Sequence, residues 1–413
     1  MTASARLSRR RFARNLAATA ALGLAAPALV RAETKTLKLG VLLPRSGLLA
    51  QAGQACQRGA EIAPAIIRDR MGIGVELLSA DTESSPDIAR SRTEKLIQDG
   101  AAMIIGAFDS GQTTAALQVC EQHGVPMIVN IAAAPQLTEQ GYKTVFRNFP
   151  TSLTLVRNGL ALMQDLFAAS GQTPATAIFL YANDTFGQAN KAALDAVLPG
   201  LGMPFRLVDS LSYDPAAQDL SVEIAKAKAS NADLVLVTTR SKDAIMLVRE
   251  MVKQRWEPMG IVSPGSPGMY DEQFYKTLGK YADFCITNLP WYDPKSAISQ
   301  QAQAGFKTAY PNDRFEFYAF NIGFTLDALL VAADAFKRAG TAEPAALLAA
   351  LRQTRLIEHM MVGPPITFDA KGQNPDTASA VIQNRGQLPV VVLPASVAEM
   401  PPVFPMPGWG KRG

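Results

Sequence analysis

The sequence predicts an α/β protein built from two doubly wound lobes. A length of 413 residues is enough for two or more domains. Hydrophobic residues make up 48% of the chain and charged ones 18%, a balance that excludes a disordered or collagen-like polypeptide. Short, continuously apolar runs alternate with helical periods of about a dozen residues, which implies a parallel sheet covered on both faces.

The amino terminus stands outside that alternation. A basic stretch precedes the small-residue apolar run Leu16 to Val30, and Val30-Arg31-Ala32 fits an A-x-A-like cleavage site. Residues 1–32 are therefore expected to be an export signal, cleaved after Ala32. Ser8-Arg9-Arg10-Arg11-Phe12-Ala13-Arg14 resembles the twin-arginine signal of bacteria, which exports folded proteins into the periplasm. Residues 1–32 hold six arginines and no acid, so their removal takes the formal charge from +4 to −2. A near-neutral chain has no general electrostatic reason to bind nucleic acid or an anionic membrane surface. The most apolar later stretch, Phe315 to Phe336, is interrupted by Asp327 and Asp334, so no membrane span is expected after the signal.

The first series starts with the apolar run Leu37 to Leu43, followed by Cys56, Gly59, Ala60, Ala63 and Ile67 at helical spacing, with Pro64 expected to kink that helix. Val75 to Ser79 reads as a strand, and Ser85-Pro86 opens the next helix with Ala89, Thr93, Leu96 and Ile97 inward. Met103 to Ile105, a helix from Gln112 to Gln122 closed by His123-Gly124, and the strand Pro126 to Val129 repeat the unit. A second series follows Phe149-Pro150-Thr151: a helix from Ser152 to Ala169, strands at Ala177 to Tyr181, Phe205 to Val208 and Leu234 to Val237, and helices at Gly187 to Val197, Leu220 to Ala229 and Asp243 to Gln254. Phe284 to Thr287 then leads into the proline-rich Asn288 to Pro294, and two or three helices are expected between Ser296 and Arg352. Ile366 to Phe368, Ala380 to Gln383 and Pro389 to Leu393 read as strands. The tail Pro401-Pro402-Val403-Phe404-Pro405-Met406-Pro407 cannot be helical and is expected along a surface.

Catalytic chemistry finds little support in these residues. Only His123 and His359 occur, so no histidine cluster offers a metal site, and no metal or cofactor is expected. Phe108 breaks a nucleophile elbow at Ser110, and Gly72-Ile73-Gly74 precedes a strand and lacks the third glycine of a dinucleotide fingerprint. Cys56, Cys120 and Cys285 are widely spaced with no C-x-x-C. An odd count leaves at least one thiol free, and the helical positions of Cys56 and Cys120 favour buried, inert thiols. Two sheet-based lobes without a catalytic constellation suggest a cleft that binds a molecule and releases it unchanged, and no enzyme is expected.

Leu39-Gly40-Val41-Leu42-Leu43-Pro44-Arg45-Ser46-Gly47, Asp81 with Ile88 to Gly100, Ile105-Gly106, Pro126-Met127-Ile128 and Ala134-Pro135-Gln136-Leu137-Thr138 resemble the substrate-binding proteins of branched-chain amino acid ABC transporters. So do Asn183-Asp184-Thr185-Phe186-Gly187 and Phe368-Asp369-Ala370-Lys371-Gly372. The resemblance implies the type I periplasmic-binding fold, with three hinge crossings and a small-molecule ligand held between lobes that close on it. The lobes are then expected at 33–149 plus 291–363 and at 150–290 plus 364–413. The implied partner is an inner-membrane ABC permease, with a signalling receptor of the same fold as the alternative, and the protein is expected to be a monomer.

The family's ligand contacts carry over one position at a time. Ser110 stands where a serine holds the ligand carboxylate, and it could also cap the helix beginning near Gly111, which is compatible with that role. Ile131 keeps a backbone contact, and Ala133 replaces a threonine hydroxyl. Ala52 replaces an aromatic, Phe186 keeps one, and another falls near Tyr318; for Phe186 and Tyr318 a core position is the competing reading. Arg240 replaces an aromatic at a strand end and is either a cleft cation or an ordinary surface charge. Gly265 replaces the acid that grips the ligand ammonium. Asp109 and Asn130 neighbour these loops. The expected ligand is therefore an organic carboxylate, aromatic ones included, with Ser110 and Arg240 competing for its carboxylate and a branched-chain amino acid as the alternative.

Overall fold

In the computed structural model, the described residues are 1, 36–293, 295–396 and 398–412. The expected export signal, with Arg9, Arg10 and the Val30-Arg31-Ala32 site, lies outside them, as does Pro294 of the proline-rich crossing. The first sheet takes β1 (Thr36–Leu43), β2 (Gly74–Asp81), β3 (Met103–Gly106), β4 (Met127–Val129) and β5 (Val145–Arg147) in the order β2-β1-β3-β4-β5. Every pairing in it is parallel. The helices α1 (Ala50–Met71), α2 (Pro86–Gln98) and α3 (Ser110–His123) connect its strands. Ser85 caps α2, Pro86 occupies its first turn, and Gly124 ends α3 in the left-handed conformation.

After α4 (Ser152–Ser170) the chain builds β6 (Thr176–Ala182), α5 (Thr185–Val197), β7 (Arg206–Tyr213), α6 (Ser221–Ala229), β8 (Leu234–Thr238), α7 (Ser241–Lys253), β9 (Gly260–Ser263), α8 (Glu272–Leu278) and β10 (Ile286–Leu289). The helices α9 (Ala297–Ala309), α10 (Ala319–Ala339) and α11 (Pro344–Arg352) follow. They return to the first sheet, where α9 and α10 pack on α1. The short β11 (Arg355–Leu356) and β12 (Ile366–Thr367) pair with each other. Then β13 (Ala380–Arg385) and β14 (Leu388–Leu393) form a hairpin that extends the second sheet, in the order β14-β13-β10-β9-β8-β6-β7. Of these, β13 runs against the rest of the sheet, pairing antiparallel with both β10 and β14, while the remaining pairings are parallel.

Four differences from the sequence reading have local causes. The strand at the start of the second sheet's outer edge runs through Tyr213, because Asp209, Ser210 and Ser212 sit on a half-exposed edge strand and look like loop residues. The strand expected from Phe284 begins at Ile286, since Phe284 has φ 67° and bonds out of register to Asn384. The three-residue β5 gave no periodic signal. And α10 is long and apolar enough to cross a membrane despite Asp327 and Asp334, yet it is almost wholly buried as the core helix of the first half. Asp327 survives there by accepting the N–H groups of Met360 (2.7 Å) and Met361 (3.3 Å).

Close packing of α1 against α10 depends on Gly59, where a Cβ would stand 2.7 Å from the Ile322 carbonyl oxygen. Pro64 sits inside α1 without ending it. All three cysteines are free and buried. Burial pushes the Cys56 and Cys285 thiols up to about 11 and raises Cys120 further, so none is a ready nucleophile.

Candidate functional site at the facing strand ends

A narrow cavity with about 20 Å³ of room for water lies where the carboxyl ends of the two sheets' strands face each other. Open α/β sheets bind ligands at this place because the loops there are free to carry side chains. The first sheet contributes Phe108, Asp109 and Ser110 after β3, Ile131 to Ala133 after β4, and Phe149 after β5. The second contributes Phe186 after β6, Arg240 after β8, Gly265 and Pro267 after β9, and Leu289 at the end of β10, while Phe320 enters from α10. The walls are mainly aromatic and aliphatic, with Asp109, Ser110 and Arg240 as the polar side chains. Among the described residues no cluster of histidine, cysteine and carboxylate side chains could hold a metal.

Asp109, not Ser110, caps α3. Its Oδ1 accepts the N–H groups of Gly111 (2.9 Å) and Gln112 (3.2 Å). A carboxylate accepts more strongly than a hydroxyl and complements the helix dipole, which is why the cap falls one residue earlier than expected. Ser110, 1% exposed, is left to accept the Ala134 N–H through Oγ (3.3 Å). The helix amino terminus that could have received a ligand anion is already occupied.

Arg240 is neither a surface charge nor an uncommitted cation. Its side chain is 12% exposed and its guanidinium donates to Asp109 Oδ2 (2.8 Å) and to Asp184 Oδ2 (2.5 Å). Its flat face lies 5.0 Å from the centre of the Phe186 ring. Burial alone would push this group down, but Asp184, Asp109 and Asp243 together hold it above its ordinary value, so it stays charged. Asp184 in turn caps α5 through the Gly187 N–H (2.8 Å).

Gly265 has φ 130°, and a Cβ there would stand 2.9 Å from Leu155 Cβ. The backbone is thus shaped for glycine, and an acidic side chain at this position would need Leu155 to move. Ile131 and Ala133 face the cavity as expected, in a loop tied down by a buried arginine: Arg147 donates to the carbonyls of Ala132 (3.0 Å) and Ala134 (2.8 Å).

Three expected residues lie elsewhere. Asn130 is fully buried behind the wall, where Oδ1 accepts the Phe108 N–H (3.2 Å) and Nδ2 donates to Thr325 (2.9 Å). It holds Phe108 at φ 64° rather than lining the cavity. Ala52 and Tyr318 line an adjoining narrow cavity, with about 30 Å³ of room for water, that shares Phe108, Arg240 and Pro267 with the first. There Tyr318 is engaged on two sides: its hydroxyl donates to Glu272 (2.7 Å) and the Arg58 guanidinium lies 4.0 Å from its ring centre. Asp271 also lines that second cavity; burial raises its carboxyl to about 6, although Ser241, the Phe274 N–H and Gln51 donate to it.

Sequence reasoning passed over Asp184, Phe108, Phe149, Pro267, Leu289, Phe320 and Arg147. A capping signal was available for Asp184, an acid between a strand and a helix that starts Thr185-Phe186. The others are apolar or hidden residues without a local pattern.

A family model described as periplasmic binding protein matches residues 36–387. The Leu/Ile/Val-binding protein homolog 7 of Brucella suis biovar 1 is 27% identical over 256 residues, which are 60% of this chain and 62% of that protein's length. The chain is also similar to the isoleucine complex of a branched-chain amino acid transporter substrate-binding protein from Streptococcus pneumoniae, at TM-score 0.72 and 19% identity, covering 86% of this chain and all of the other. A benzoate complex of an ABC transporter solute-binding protein from R. palustris gives TM-score 0.73 and 21% identity over 86% of this chain and 95% of the other. At these identities the structures establish the fold, two lobes of the type I periplasmic-binding kind.

Proposed function

We propose a function from one premise: the chain belongs to the periplasmic binding protein family, whose members bind solutes rather than transform them. In this reading the protein is a receptor that closes two lobes on a small organic acid and delivers it to an ABC transporter permease. One observation carries it: a cavity with mainly apolar walls, placed between the strand ends of two sheets, whose polar side chains are a buried serine, a charged arginine and the aspartate paired with it. The lobes are 33–149 plus 291–363 and 150–290 plus 364–413, hinged near Thr151 and Leu289, except that the third crossing moves from Pro364 to between Asn374 and Ala380, because Ile366, Phe368 and Gly372 to Asn374 pack on and bond to the first sheet. The protein acts as a monomer and releases its ligand unchanged.

The proposed ligand is a carboxylate with an apolar, aromatic-sized body. Similar solved proteins hold benzoate and isoleucine, two carboxylates that differ in the ammonium. Glycine at 265 and a methyl at Ala133 remove two polar partners for an amino acid, and an unpaired buried ammonium costs several kcal/mol. A branched-chain amino acid remains the second reading because the Asp109 carboxylate lines the cavity. Calorimetric titration against benzoate, other aromatic acids, leucine, isoleucine and valine separates them. Micromolar binding of benzoate, about −8 kcal/mol, is the expected result. Leucine binding at that strength without a response to the acids sinks the carboxylate-only class.

Export is proposed to run through Arg9 and Arg10, with cleavage after Ala32. Replacing both arginines by lysine should leave the protein in the cytoplasm on fractionation. Undiminished periplasmic protein would remove the twin-arginine route.

A further inference from the structure

We infer that Asp109 is a tethered carboxylate that clasps Arg240 across the cleft and that a ligand carboxylate must displace. The inference deepens the proposed organic-acid reading and, for its ligand half, rests on it.

The two oxygens of Asp109 do separate work. Oδ1 caps α3 through the Gly111 and Gln112 N–H groups, whereas Oδ2 reaches the Arg240 guanidinium at 2.8 Å. Asp109 follows β3 of the first sheet, while Arg240 and Asp184 follow β8 and β6 of the second. Of the two carboxylates on Arg240, only Asp109 therefore belongs to the opposite sheet. When the lobes part, the Arg240–Asp184 pair travels together on one sheet and the Asp109 bond is the one that breaks. The side chains of Arg240 and Asp109 are 12% and 14% exposed, so their attraction is weakly screened by solvent.

The charge count decides what a ligand meets. One guanidinium already serves two carboxylates, and Asp243 lies close enough to add to the negative field. A third carboxylate brought into the closed site would face Asp109 with no unshared cation. It gains a partner only by taking the donor that Asp109 holds. The clasp thus raises the threshold for weak anions and holds the lobes together without cargo, and the ligand that succeeds replaces it as the bridge. By mass action, weakening the clasp destabilises the empty closed form and leaves the filled form its contacts, so apparent affinity rises.

Asp109→Ser tests this, because serine keeps the helix cap but is too short to reach Arg240; Asp109→Asn, which keeps both size and cap, is the second variant should the first fold poorly. Small-angle scattering of the ligand-free proteins is expected to show a larger radius of gyration for the variant than for the unaltered chain. Calorimetry with benzoate is expected to show binding tightened by about tenfold, the order of one partly buried ion pair. An unchanged ligand-free radius overturns the clasp, and weaker benzoate binding in the variant overturns the competition. If neither protein binds benzoate, the organic-acid reading fails on its own, and the ligand-free scattering still decides whether Asp109 holds the cleft.

Discussion

Truncation after Met400 is expected to leave a chain that no longer folds stably, although residues 401–412 touch neither cavity. The tail is a strap docked on the second sheet. Phe404 packs 5.3 Å from the Phe167 ring and lies over Gly260, where a Cβ would stand 2.9 Å from its ring. Met406 donates its N–H to Met259 (2.8 Å), and Val403 exchanges two hydrogen bonds with the Gln383 side chain (2.8 and 2.9 Å). Trp409 donates through Nε1 to the Trp256 carbonyl (2.8 Å), and the Arg412 guanidinium lies 3.9 Å from the Trp409 ring. Arg412 also donates to the carbonyls of Tyr281 (3.0 Å), Asp283 (2.9 Å) and Pro407 (2.9 Å). Phe404, Met406 and Trp409 are each under 9% exposed, and losing one buried aromatic side chain costs about 3–5 kcal/mol. Removing all of them approaches the whole net stability of a domain, about 5–15 kcal/mol. The single variant Trp409→Ala should lose about 3–5 kcal/mol in urea unfolding; a loss under about 1 kcal/mol would show that the strap is dispensable.

The sequence made the tail's course visible and hid its importance. Its prolines exclude helix, which correctly places it along a surface, but no local pattern reveals that Trp409 and Arg412 are buried. The same division holds across the molecule. Apolar runs such as Leu37 to Leu43 and Leu234 to Val237 announce buried parallel strands because both faces of such a strand are covered. The order of these runs identifies the two sheets and the loops at their ends, so Ser110, Ile131, Ala133, Phe186, Arg240 and Gly265 could be placed near one cavity. What spacing cannot supply is the partner. Arg240 finds Asp184 and Asp109 at 56 and 131 residues' distance, and a charge whose partners are that remote looks the same as a solvated one. Tyr318 shows the converse: it reaches the edge of the site, but Glu272 and Arg58 engage it, and its assignment to the ligand assumed that an aromatic near a cleft faces it.

Arg147→Met is the substitution expected to damage fold and binding together. Arginine is almost never fully buried unless it is paired with an acid, yet Arg147 is 0% exposed and no carboxylate touches it. Burial pushes its pKa down, with the distant charges of Glu139 and Asp369 opposing. Its donors are spent instead on uncharged acceptors: Gln373 Oε1 (2.6 Å), the carbonyls of Ala132 and Ala134, and Thr138 Oγ1 (3.0 Å). Gln373 passes the connection on to the Phe149 carbonyl (2.9 Å), so one side chain fixes both the 131–134 loop and the wall after β5. Methionine fills much of the volume but strands four acceptors away from water, at about 1–3 kcal/mol each before relaxation. A total loss of about 3–5 kcal/mol is expected, comparable to breaking a buried ion pair from one side. Lysine should rescue only part of it, since a single ammonium lacks the planar fork that spans two carbonyls, a glutamine and a hydroxyl. The decisive comparison is ligand affinity in a folded Arg147→Lys protein, measured at a temperature well below its unfolding midpoint. Because Ile131 and Ala133 hang on the carbonyls that Arg147 holds, affinity should fall even where the fold survives. Unchanged affinity together with a loss of less than about 1 kcal/mol in stability would show that the loop needs no such anchor.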